Sequence, residues 1–312
     1  MSRFVALFTS ISLYFRMDLA YRFVAWLSPA SRRELLWRAL ALEEVEQISF
    51  RSAGRHWTAP LSTGVTLGLF RDGHFQGPQV DAAAAWILRQ GLLRPGRDVV
   101  VDAGANIGTT CIPMALNLPC RILAIEPSSS NLHFLRRNVE SNGLSGRFTI
   151  ATRAIMRQSG RVRRLLVSED PGGNLIDRFG TSTGQGFEEV LAQPFDEIMR
   201  EHGIQPSEIA FVWSDTQGCE GDLMESGSVL WAGGTPLYAE VEPASLERQG
   251  ELGTFTAIAA RHFDRFIDSR ELTLDIAGAR VQSIAELEPL IESLKPEGAA
   301  DLLFLPPGLK VS

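Results

Sequence analysis

Val99-Val100-Val101-Asp102-Ala103-Gly104-Ala105-Asn106-Ile107-Gly108, followed by Ile122-Leu123-Ala124-Ile125-Glu126-Pro127, decides the fold of this chain. Each half is an apolar run that ends on a carboxylate. The first run stops at Asp102 and opens into a loop of small residues. The second stops at Glu126, where Pro127 blocks further extension of a strand. A buried parallel strand, a glycine turn, a helix and a second strand ending in an acid make a nucleoside-binding half-site.

Charge decides which nucleoside cofactor such a loop suits. Dinucleotide loops of the G-x-G-x-x-G type bring bare backbone to a pyrophosphate at a helix N-terminus. Here Asn106 stands at the middle glycine's position, and Asp102 precedes Gly104 by two residues. A carboxylate beside a pyrophosphate repels it. The same carboxylate suits a ligand carrying an ammonium and a sulfonium, as S-adenosylmethionine does. Glu126 suits either, since its two oxygens accept from both ribose hydroxyls. The cofactor residues expected are therefore Asp102, Gly104, Ala105, Asn106, Gly108, Glu126 and Pro127. The plainer reading makes Asp102 and Glu126 strand-end caps.

The chain has 312 residues and a net charge of −7, with no lysine-arginine tract, so a nucleic-acid partner is not expected. Its three cysteines, Cys111, Cys120 and Cys219, lack metal or disulfide spacing. Buried thiols in a reducing, cytoplasmic setting are expected. Phe4 to Phe15 is an apolar stretch behind Arg3, interrupted afterwards by Arg16 and Asp18. It is too short to span a bilayer. An amphipathic helix packed on the domain or on a partner is favoured over one lying at a membrane surface.

Residues 1–77 read as an N-terminal extension of helices followed by small strands. A capping box at Ser31-Arg32-Arg33-Glu34 opens an amphipathic helix. Strand-like pieces follow at Glu46 to Phe50, Arg55 to Ala59 and Val65 to Phe70. Residues 78–312 read as the cofactor domain. Strands at Asp98 to Val101, Arg121 to Ile125, Phe148 to Ala151, Ile209 to Trp213 and Leu237 to Val241 alternate with helices, and strand-like pieces recur near Phe266 and at Leu302 to Leu305. This is the pattern of an α/β fold, a doubly wound and mostly parallel sheet. Asp102, Glu126, Asp215 and Glu240 all fall at strand C-termini, where such sheets bind ligands.

A second signature, Ile209 to Gly221, reads I-A-F-V-W-S-D-T-Q-G-C-E-G and precedes P-L-Y-A-E-V-E-P. With V-D-A-G-A-N-I-G, I-E-P, D-T-Q-G-C-E and Y-A-E-V in this order, Gln79 to Leu305 resembles the FkbM family of S-adenosylmethionine-dependent methyltransferases. Phe134 to Val139, Asn174-Leu175 and Phe195 to Ile198 resemble further family segments. Trp213 and the pair Met156-Arg157 depart from it, the latter where an adenine acceptor is expected. The resemblance implies a seven-stranded Rossmann-like sheet and O-methylation of a hydroxyl on a sugar, lipid or other small metabolite.

An aliphatic hydroxyl needs a base as the new bond forms. Asp215, Glu220 and Glu240 are the catalytic candidates, with Glu220 alternatively capping its own helix. Asp215 also belongs with the cofactor residues. Asp196 reads as a helix start, and His56, His74, His133, His202 and His262 as structural. No spaced cluster indicates a metal; an ion between Asp215 and Glu240 is the minor reading. Trp57, Phe70, Phe75, Trp213 and Tyr238 are candidates for an acceptor wall or for core. A homodimer is left open. The competing functions are a nicotinamide-dependent oxidoreductase and a non-catalytic protein that keeps the fold.

Overall fold

The structure, a computed structural model, describes residues 21–61, 64–168, 173–180, 186–295 and 298–311. The expected helix at Phe4 to Phe15 lies outside them. An antiparallel hairpin comes first, β1 (Gln47–Ser52) with β2 (Arg55–Pro60). Then come β3 (Val99–Ala103), β4 (Arg121–Ile125), β5 (Phe148–Ala151), β6 (Ala154–Ile155), β7 (Arg161–Leu166), β8 (Leu175–Asp177) and β9 (Phe187–Gln193). The chain continues through β10 (Ile209–Ser214), β11 (Leu237–Val241), β12 (Arg265–Asp268), β13 (Gln282–Ser283) and β14 (Ala300–Leu305).

Eight strands form the main sheet in the order β13-β12-β14-β11-β10-β3-β4-β5. From β11 to β5 every neighbouring pair is parallel, whereas β14 runs antiparallel between β11 and β12. Seven strands match the expected sheet, and the eighth is the two-residue edge strand β13. The strands read as apolar runs because helices cover both faces. Along β3, Val100 joins one core and Val99, Val101 and Ala103 the other. The first core receives Trp86, Ile112, Leu132 and Leu272; the second receives Ile198, Leu223, Phe255 and Ile291.

A second sheet of four strands, β6-β9-β7-β8, rises between β5 and the helix Phe195–Glu201. The sequence reading does not anticipate it. Its strands are short or heavily charged, as in Arg161-Val162-Arg163-Arg164, so no clean apolar alternation marks them.

The extension differs from expectation in two places. Val65 to Phe70, expected as a strand, lies in the helix Gly64–Arg71. Its apolar residues Val65, Leu69 and the half-buried Phe70 follow helical spacing, which a short apolar run leaves ambiguous. The helix Pro29–Leu42 starts three residues earlier than the expected capping box, on Ser28, whose hydroxyl accepts from Ser31 N at 3.1 Å. Pro29 at the first turn lacks the N–H that would need a partner.

Two asparagines of the helix Ser129–Ser141 and its cap tie the hairpin to the main domain. Asn138 accepts from Thr58 N at 2.7 Å and donates to Ile107 O at 2.9 Å. Asn142 exchanges bonds with the backbone of His56 at 3.0 and 2.7 Å. Trp57, Ala59, Val65 and Leu69 then enter the first core. Asn138→Ala leaves a buried N–H and a buried carbonyl unpaired, at about 1–3 kcal/mol each. We expect a loss of about 2–4 kcal/mol in urea-induced unfolding; a loss below about 0.5 kcal/mol would show that this bridge does not anchor the hairpin.

Candidate functional site

The loops that follow β3 and β10 interlock at the carboxyl end of the sheet. Asp215 N donates to Ala103 O at 2.9 Å, extending the parallel ladder past both strands. Gly104, with φ +87°, then passes so close that a Cβ on it would stand 1.9 Å from the Asp215 carbonyl oxygen. No side chain fits there. The amides of Gly104 and Ala105 both donate to Ile125 O, folding the loop over the end of β4.

Asn106 takes φ +49°, a left-handed conformation that asparagine tolerates better than most residues. Its amide donates to Glu126 Oε2 at 2.8 Å. Glu126 Oε1 accepts from Ser128 N at 2.9 Å and Asn131 Nδ2 at 3.3 Å. The carboxyl is thus fixed between the two loops. Burial pushes it up to about 7, against the pull of these donors.

Past β10 the chain turns through Thr216, Gln217 and Gly218. Gln217 adopts φ +53°, and its Nε2 donates to Asp215 Oδ1 at 2.8 Å and to Glu240 Oε2 at 3.2 Å. Asp215 and Glu240 thus meet through one side-chain amide, and burial raises both carboxyls. Burial, and then the Asp215 charge, push Glu240 up to about 9. Burial raises Asp215 as well, while the Gln217 and Glu240 donors hold it down. Asp301, opposite Glu240 on β14, is raised to about 6 by burial and then by Asp215.

These groups border a cavity of about 360 Å³. Gly104, Asn106, Glu126, Pro127, Asp215 and Glu240 line it, together with residues the sequence reading did not single out as a site: Thr109, Thr110, Arg153, Asn174 and Gln217. Gly64, Val65, Phe75 and Gln76 bring the extension to the same wall, and Leu165, Leu175 and Ile176 bring the four-stranded sheet. Asn174, Leu175 and Gln217 stand inside motifs, and Phe75 is among the aromatic candidates.

Four expected site residues stand behind the lining. Asp102 is 1% exposed and turns to the helix Cys111–Asn117, where Oδ2 accepts from Cys111 N at 3.1 Å. Among the described residues its Oδ1 has no hydrogen-bond partner, and burial pushes the carboxyl up to about 7. Ala105 is buried, and Gly108 packs on Ile112 and Leu135. Glu220 accepts from Thr216 N and Oγ1, both at 2.8 Å, in the capping role that was its alternative. Glu242 lies just past β11 and pairs with Arg248 at 3.4 Å.

Of the five aromatic candidates only Phe75 lines the cavity; Trp213 and Tyr238 stack in the core at 3.8 Å. None of the histidines lines it. Arg157 turns away to Asp222 and Glu251, which Arg178 also pairs at 2.5 and 2.7 Å. All three thiols are buried, and burial pushes Cys219 up to about 12 and Cys120 up to about 11.

A family model described as a methyltransferase FkbM domain matches residues 102–270. Similar solved structures include a putative transferase from Pyrococcus horikoshii, 11% identical, covering 83% of this chain and 71% of that one at TM-score 0.41. An O-methyltransferase from Bacillus cereus in complex with S-adenosylhomocysteine is 13% identical, covering 74% and 83% at TM-score 0.41. Geranyl diphosphate C-methyltransferase from Streptomyces coelicolor A3(2) is 11% identical, covering 72% and 78% at TM-score 0.37. No curated protein matches the sequence.

Gly104→Val should abolish ligand binding through the crossing of the two loops, because the side chain meets the Asp215 backbone. A variant with wild-type affinity for S-adenosylhomocysteine by calorimetry would refute this crossing. Folded, Glu240 keeps its proton up to about 9; its ordinary value is 4.5. The folded state then holds a proton that the unfolded chain releases, so stability falls as pH rises between these values. Glu240→Gln should flatten that decline in melting temperature; a decline as steep as wild type would place the raised group elsewhere.

Proposed function

The chain belongs to the FkbM methyltransferase family, whose methyl donor is S-adenosylmethionine, and on that premise we propose that it transfers a methyl group to a hydroxyl of a small metabolite, sugar or lipid. The observation that carries this reading is the Asp215–Gln217–Glu240 constellation, which shares one cavity with the glycine loop and Glu126.

The residues present fit the donor. Gly104 leaves bare backbone at the lining, and Asn106 and Pro127 adjoin it. Glu126, held in place by three donors, keeps lone pairs for the ribose hydroxyls. Asp102 supports the loop from behind through the Cys111 amide, and Ala105 and Gly108 shape the turn. Bound there, S-adenosylmethionine supplies a methyl group activated by its sulfonium. Asp215 accepts the hydroxyl proton as the carbon–oxygen bond forms. Glu240 keeps its own proton and orients the hydroxyl, and Gln217 fixes the spacing of the two carboxyls. Glu220 serves indirectly, by holding Thr216.

Charge narrows the acceptor. The described lining carries three carboxyls and one cation, Arg153. The Arg153 guanidinium is taken up by Gln193 Oε1, Glu201 Oε1 and Thr152 O at 2.6–2.8 Å. Such a wall favours a neutral or cationic acceptor over a phosphate or carboxylate.

Asp215→Asn should keep the fold and donor binding and lower methyl transfer by about 100- to 10 000-fold. Donor binding is read from thermal unfolding, where a ligand at about 100 times its dissociation constant adds roughly 2.7 kcal/mol. A shift with S-adenosylmethionine and S-adenosylhomocysteine but not with NAD is expected for both proteins. Unchanged turnover in the variant would move the base elsewhere, and no shift in wild type would favour a non-catalytic protein.

A further inference from the structure

The arm at residues 21–42 shows an apolar surface that the domain does not use. In the helix Pro29–Leu42 the inner face is set by Trp37, which packs on Phe70 at 6.2 Å between ring centroids, and by Arg33, which donates to Phe70 O at 3.1 Å. Leu35 and Leu42, seven residues apart, share the opposite face with Ala39 between them. Leu42 is 84% exposed. The helical residues before it, 21–26, expose Tyr21, Phe23 and Trp26, the last at 82%. This pattern is the reverse of an ordinary surface helix, which turns its leucines inward.

Charge indicates what meets this surface. Residues 21–42 hold four arginines against one acid, Glu34, whereas the whole chain carries −7. The arm is therefore cationic on an acidic protein. Arg32 and Arg38 flank the exposed leucine stripe on either side. Two such arms placed face to face would set like charges together. An anionic lipid surface instead accepts the arginines at its headgroups and the Trp, Tyr and Leu side chains at the acyl boundary. No helix among the described residues is long and apolar enough to cross a membrane, so the arm would lie on the surface rather than span it.

We propose that residues 21–42 seat the protein on an anionic lipid bilayer, with Trp26, Leu35 and Leu42 inserted and Arg32 and Arg38 at the headgroups. The proposal does not depend on the methyl-transfer reading. It bears on the cavity through one helix: Gly64–Arg71 packs on the arm at Phe70 and lines the cavity at Gly64 and Val65. Seating the arm therefore orients the cavity relative to the lipid.

The test is co-sedimentation of the full chain with phosphatidylcholine vesicles, with and without phosphatidylglycerol. We expect pelleting only with the phosphatidylglycerol vesicles, and its loss at high salt. Trp26→Ser combined with Leu42→Ser should weaken it at least about tenfold, and Arg32→Gln combined with Arg38→Gln should do likewise. Neither pair touches a core, so melting temperatures should stay at the wild-type value. Three results would overturn the proposal. The first is no pelleting with either vesicle. The second is double variants that pellet like wild type. The third is a wild-type dimer, dissociated by the Trp26/Leu42 double variant, that ignores vesicles; a second copy would then be the occupant.

Discussion

The site depends on the passage of Gly104 under the Asp215 carbonyl. β3 and β10 are parallel neighbours, so their exit loops leave the sheet at the same rim and compete for the same space. They coexist because one contributes a residue without a side chain. The Asp215 amide locks onto Ala103 O, and the position of every group after it on that loop follows. Gln217 reaches both carboxyls only because the turn before it is fixed, and Glu220 returns to Thr216 to close that turn.

The rim concentrates buried acids. Asp102, Glu126, Glu220, Glu240 and Asp301 are all raised by burial, and among the described residues no guanidinium pairs with them. The arginines near the site are committed elsewhere: Arg153 to Gln193 and Glu201, Arg157 and Arg178 to Asp222 and Glu251. Backbone amides, a hydroxyl and two side-chain amides hold the carboxyls instead. Of these five only Glu126 and Glu240 face the cavity.

Legibility in the sequence followed burial. β4, β5 and β11 have the bounds expected of them; β4 is buried after its first residue, as a strand covered on both faces must be, while β5 is the half-buried edge strand. The strand-end acids could be placed for the same reason. What those acids touch was not legible. Asp102 carries the same strand-end signal as Glu126 and Asp215, yet it turns to the Cys111 amide behind the lining. No periodicity encodes which way a strand-end carboxyl turns. The helix at Gly64–Arg71 and the sheet built on β7 and β9 were missed because their residues answer to tertiary neighbours: a hairpin and helix in one case, a charged two-sided surface in the other.

That second sheet enters and leaves the main domain by a zipped doorway. β6 and β9 pair in parallel, Ala154 with Ala192 and Ile155 with Gln193, so the excursion from 156 to 191 begins and ends between adjacent strands. Length changes within it need not disturb the eight-stranded sheet, because the closure entropy is settled at the doorway and grows only slowly with loop length. Its inner residues Leu165, Leu175 and Ile176 reach the cavity, while Gly104, Asn106 and Glu126 belong to the other framework. The architecture thus separates an interchangeable wall from a fixed one, and lineages sharing this framework can diverge in what they accept without rebuilding what they hold in common.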